Sequence, residues 1–203
     1  MIIGIDGNEA NTTNKVGVGQ YALQLICHLA KTDTKNKYIV YLKNPPQTDL
    51  PKATKNWQYK VFGPQKLWTR FALPIHLYSQ KEKLDLFFSP SHYSPPFSPC
   101  PTIPTIHDLG YLQFKNQFTS KDFYQLKNWT YQSIRKASHI VTVSQFSKDE
   151  IIVKFTAPVE TQITSGIHLI CGMPKPSTVD VVTEKAVELG VKEVIFFFSG
   201  HGA

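Results

Sequence analysis

The chain has 203 residues, a formal net charge of +7 and a pI near 9.2, with 41% hydrophobic and 12% aromatic residues. That apolar content supports a real core and argues against global disorder, while no apolar run approaches the ~20 residues of a membrane span. The positive balance favours a nucleotide diphosphate, an anionic membrane surface or nucleic acid; the cations are scattered along the sequence, which puts nucleic acid last.

Met1 to Ile5 is a short apolar run ending in Asp6-Gly7, the pattern of a buried parallel strand. A dozen small and polar residues lead to Val16-Gly17-Val18-Gly19, where an amphipathic helix is expected over 18–31. Glycines at that junction let backbone approach a ligand, and the free N–H groups of a helix start favour an anion. The pattern does not fit the dinucleotide spacing, and a surface loop whose glycines only make turns would read the same way. Residues 37–43 predict a second strand stopped by Pro45-Pro46, and 56–62 a third, stopped by Gly63-Pro64. A helix is expected over 65–80, kinked at Pro74, then a strand over 84–88.

Ser89 to Pro96 is a polar, proline-rich loop, and 101–106 approaches the sheet and ends in His107-Asp108. Two prolines, Pro101 and Pro104, weaken a central-strand assignment there. A helix follows over 120–137 with Ser120 as N-cap, then a strand over 139–143, and Ser144 caps or precedes a helix running to 154. The tail predicts a strand near 167–171, a helix over 177–189 ended by Gly190, and an apolar strand over 191–198. This alternation predicts an α/β fold with a doubly wound parallel sheet. Polar residues collect just after four apolar runs, at Asp6 to Gly19, Ser89 to His92, His107-Asp108 and Ser144, where open α/β sheets bind ligands. The N-terminus shows no signal peptide. Cys27, Cys100 and Cys171 are an odd set without metal-ligand spacing, read as reduced cytoplasmic thiols.

The segments Ile3 to Ala10, Val16 to Gly19, Phe88 to Tyr93, His107 to Leu109 and Val143 to Ser147 resemble the N-terminal half of glycosyltransferase family 4, over residues 1 to about 155. Members that build cell-surface polysaccharides, often described as mannosyltransferases, are the nearest in character. The resemblance implies one Rossmann-like half of a GT-B fold, the acceptor side, and transfer from a nucleotide sugar to a glycan or lipid-linked acceptor with retention. It requires no metal and no cofactor beyond the nucleotide-sugar substrate, and it implies a cytoplasmic protein with peripheral membrane contact. By position it sets Gly17 and Gly19 against the donor diphosphate and His107 near the transferred sugar. Ser91, His92, Asp108 and Ser144 become substrate-binding candidates. Each has a plainer alternative: His107 as a hydrogen-bonded loop histidine, Ser144 as a helix cap, His92 as structural. Tyr93, Tyr111, Phe114 and Trp129 read as core rather than as a sugar-stacking platform.

The family's second domain, with its paired donor-binding glutamates, has no counterpart in the residues after 155. The expectation is therefore a domain over 1–156, a strand-helix-strand unit over 157–203, and a chain inactive alone, either a truncated enzyme or an acceptor-binding module without catalysis. The tail, with Pro174-Lys175-Pro176 and Glu188-Leu189-Gly190-Val191, resembles the start of the catalytic domain of 16S ribosomal RNA uridine-N3 methyltransferases, which have the knotted SPOUT fold; a fragment of such a methyltransferase is thus a further alternative, and a generic strand-helix-strand unit the plainer one.

Overall fold

A computed structural model describes residues 1–112, 114, 117–155, 168–172 and 193–197. Its frame is a parallel sheet of eight strands: β1 (Ile2–Asp6), β2 (Lys37–Leu42), β3 (Trp57–Val61), β4 (Leu86–Ser89), β5 (Thr102–Ile106), β6 (Val141–Thr142), β7 (His168–Gly172) and β8 (Glu193–Phe197). The order across the sheet is β3-β2-β1-β4-β5-β6-β7-β8, with every neighbouring pair parallel. The chain winds outward from β1 through β2 to β3, then returns to the other side of β1 and winds the opposite way. The order thus reverses between β1 and β4, and the doubly wound α/β expectation holds.

Strands buried on both faces explain the near-continuous apolar runs. In β2, Tyr38, Val40 and Leu42 pack on one face with Ile5, Ala22 and Ile26, the last two from helix α1 (Gly17–Thr32). Ile39 and Tyr41 pack on the other with Phe87 and with Leu73 and Leu77 of helix α2 (Ala72–Ser79). The period of two along a strand assigns alternate residues to opposite layers. Helix α3 (Ser120–Lys136) and helix α4 (Gln145–Phe155) close the third cluster, where Phe123, Leu126 and Ile151 meet Ile106, Leu109 and Tyr111.

Several expected boundaries move. The helix expected over 65–80 is confined to 72–79, because Leu67 takes a positive φ of 53° that interrupts helical geometry. Pro74 falls in the first turn of α2, where its missing N–H is one the helix leaves over anyway, so it makes no kink. The N-cap of α3 is Thr119 rather than Ser120: its side chain accepts from the Asp122 N–H at 3.1 Å and donates to the Asp122 carboxylate at 2.7 Å. The strand expected over 139–143 shrinks to two residues.

β5 is a central strand despite its prolines. The Phe87 N–H donates to the Pro101 carbonyl on the β4 side, so position 104 faces β6. Pairing with β6 begins only at Thr105 and Val141, and the absent proline donor meets no ladder there. In the tail, β7 and β8 extend the sheet beyond β6, while the helix expected over 177–189 lies outside the described residues. Cys27 and Cys100 are free thiols. Among the described residues no helix is long and apolar enough to cross a membrane.

Candidate functional site

Where the strand order reverses, the loops after β1 and β4 diverge and leave a crevice beyond the strand ends. In this chain that place is a cavity of about 230 Å³ lined by Asp6, Asn8 and Glu9 from the β1 end and by Ser91 and Tyr93 after β4. Arg70 and Leu67, from the segment before α2, and Trp129 of α3 complete its wall. The Arg70 guanidinium lies over the Trp129 ring, 5.1 Å from its centre, and donates to Gln132 Oε1 at 2.6 Å. An indole face and a bidentate cation beside carboxylate and hydroxyl groups suit a polyhydroxylated ring.

Asp6 is buried at the floor. Its Oδ1 accepts from the backbone N–H and the side-chain amide of Asn8, at 3.1 and 2.7 Å. Desolvation outweighs those bonds and raises its pKa to about 6. Asn8 Oδ1 in turn accepts from the Lys43 N–H at 2.9 Å, which ties the β1 loop to the end of β2.

Next to the cavity lies a second cluster. The His107 ring follows β5 and donates from Nε2 to the Pro90 carbonyl at 3.1 Å, because a carbonyl can only accept. Tyr21, in the second turn of α1, meets it edge-on at 4.9 Å and fixes the ring plane. The His92 ring sits 5.4 Å away, and its Nδ1 is buried with no hydrogen-bond partner. Burial lowers both pKa values, that of His92 to about 4. Both imidazoles are therefore neutral at physiological pH, and each keeps a bare nitrogen able to accept from a hydroxyl.

Ser144 lies behind this pair and does not line that cavity. Its hydroxyl accepts from the Ser147 N–H at 3.1 Å and pairs with the Ser147 hydroxyl at 2.9 Å, while Ser147 Oγ donates to the His107 carbonyl at 2.7 Å. It caps α4 and, through Ser147, positions the His107 backbone. Asp108 is exposed, and its Oδ1 accepts from the Gly110 N–H at 2.9 Å.

At the start of α1, Gly17 has a φ of +21° and open space where a Cβ would stand. Gly19 is buried, its N–H donates to the Val16 carbonyl at 2.7 Å, and an added Cβ would lie 3.1 Å from the Glu9 carbonyl. The N–H groups of Gly17 and Val18 are the two the helix itself leaves over, and no side chain caps them. The loop leading there is pinned by Asn11, which donates to the Asn44 and Pro45 carbonyls, and by a 2.7 Å ion pair of Lys15 with Asp49.

The structure thus gathers His92, His107 and, through Tyr21, the start of α1, with Ser144 behind them and Ser91 turned into the adjoining cavity. Asp108 stays apart in its own turn. The expected all-core aromatic set divides: Tyr111 is buried, Phe114 is exposed, and Tyr93 and Trp129 line the cavity. Arg70 escaped the sequence analysis because the segment before α2 reads as plain helix, whereas Asp6 stands at one of the polar strand ends that the sequence singles out.

A family model described as Glycosyltransferase Family 4 matches residues 16–162. That span holds both clusters apart from the β1 end. It stops short of the tail strands, whose resemblance to a ribosomal RNA methyltransferase finds no support in it. No curated protein matches the chain.

Proposed function

The chain belongs to glycosyltransferase family 4, and from that membership we propose that it is the acceptor-side half of a GT-B sugar transferase. The acceptor, a glycan or lipid-linked sugar, enters the cavity between the β1 and β4 ends. Trp129 and Tyr93 offer it apolar faces, and Asp6, Ser91 and Arg70 offer hydrogen bonds. The donor is a nucleotide hexose, with mannose the first candidate, and the reaction retains anomeric configuration at the cytoplasmic face of polysaccharide synthesis. The uncapped N–H groups of Gly17 and Val18 lie within two turns of the Tyr21–His107 contact, where they would meet the donor diphosphate and stabilise its leaving charge without reorganisation. His107 and His92, kept neutral by burial, accept from sugar hydroxyls and hold the ring in place rather than supplying a proton.

The observation that carries this reading is the cavity at the reversal point, with Asp6, Arg70 and Trp129 converging on it beside the histidine pair. The test is saturation-transfer NMR with short mannosides. Binding weakened about tenfold or more by Trp129→Ala is expected. No glycan binding at all would overturn the acceptor assignment.

A further inference from the structure

Arg70 is a half-buried cation whose partners carry no charge. Its Nη1 donates to Gln132 Oε1 at 2.6 Å, and its guanidinium lies 5.1 Å from the centre of the Trp129 ring. The ion pairs among the described residues are Lys15 with Asp49 and Lys37 with Glu82, so no carboxylate among them reaches Arg70. A charge drawn partly out of water is costly unless something answers it.

The guanidinium is also fixed in place. The Leu67 carbonyl accepts from the Arg70 N–H at 2.9 Å and from the Phe71 N–H at 3.0 Å, which winds the segment before α2 into a turn. Gln125, Trp129 and Gln132 recur along one face of α3. The last two hold Arg70, and the first two line the cavity with it. Gln132 takes one N–H, and no other acceptor for the guanidinium stands among the described residues. A planar fork held beside an open cavity, with donors to spare, matches a carboxylate.

The charges around the cavity indicate how large an anion it can take. Lys43 and Glu9 act on Asp6 in opposite senses, the ammonium favouring its ionised form and the carboxylate opposing it. Lys43 is therefore committed to the acids of the strand ends, while Arg70 stands on the wall made by α3 and the segment before α2. A sugar carboxylate brings a single negative charge, which one guanidinium neutralises. A phosphate monoester brings about −1.5 to −2 and would need a second free cation. It would also share the cavity with Asp6 and Glu9.

We propose that the acceptor sugar of this cavity is a uronic acid, its carboxylate received by the Arg70 fork and its ring hydroxyls by Asp6 and Ser91. Thr69 and Gln125, which also line the cavity, offer neutral hydrogen bonds there. That assignment rests on the cavity being the acceptor site and adds the class of sugar it takes.

The experiment titrates the full chain by saturation-transfer NMR with matched methyl uronides and methyl glycosides of the gluco, galacto and manno series. Each pair differs only in a carboxylate against a hydroxymethyl group. At least one uronide should bind about tenfold or more tighter than its neutral partner, and salt should reduce the preference. Arg70→Gln should abolish the preference and leave the neutral glycoside's affinity nearly unchanged. Arg70→Lys, which keeps the charge and loses the fork, should retain only part of it, and it serves if Arg70→Gln fails to fold. Circular dichroism checks both variants. If Arg70 is only a strut for α3, both members of a pair weaken alike, and that result overturns the proposal. Equal affinity of the parent chain for uronide and glycoside overturns it too and leaves the acceptor site standing, whereas no binding of any sugar overturns both. A glycosyl phosphate bound more tightly than every uronide also overturns it.

Discussion

Burial leaves Asp6 and His92 with opposite debts to solvent, and their titrations pull stability in opposite directions. The Asp6 carboxyl ordinarily titrates at 3.8 and in the fold at about 6. The folded chain binds the extra proton between those values, so stability falls as pH rises through that window. Keeping Asp6 ionised near neutral pH costs up to about 3 kcal/mol. His92 ordinarily titrates at 6.5 and in the fold at about 4, so the unfolded chain takes its proton first and stability falls as pH drops through that range. His107, also lowered, adds to the same side. Urea unfolding across pH should therefore show Asp6→Asn more stable than the parent near neutrality and more steeply acid-labile. His92→Gln should flatten the acid limb. If Asp6 binds the acceptor, the stabilised Asp6→Asn chain should also lose mannoside affinity, a residue kept for binding at the expense of the fold.

At the level of elements, the helix caps and strand ends show what a sequence carries and what it hides. Thr119 and Ser120 are both good cap residues, and only the spacing from Thr119 to Asp122, three residues on, tells them apart. Thr119→Ala is expected to cost about 1 kcal/mol in thermal or urea unfolding, and Ser120→Ala only a small fraction of that. The segment before α2 could not be read in the same way. Leu67, Trp68 and Phe71 fall at helical spacing, but the Trp68 indole N–H donates to the Phe62 carbonyl at 2.9 Å and Leu67 adopts its positive φ. Those are tertiary choices, invisible to periodicity. For the same reason Arg70 and Trp129 became visible as cavity wall only once α2 and α3 were set side by side, whereas His107 and Ser91 were legible from their places after strands.

For the whole molecule, strand–helix alternation announced the parallel sheet, and it could not announce the order of its strands, which depends on contacts far apart in sequence. The sheet itself is uneven. Among the described residues, β2 meets β3 along five aligned pairs and β7 meets β8 along five, yet β6 meets β5 at two and β7 at one, Thr142 with Leu169. Under tension applied between the two chain ends, that single rung is where the body should part. An optical trap is expected to record β7 and β8 tearing away together at low force, followed by a separate, stiffer rupture of β1 to β5; one simultaneous rip would mean the rung is reinforced from elsewhere.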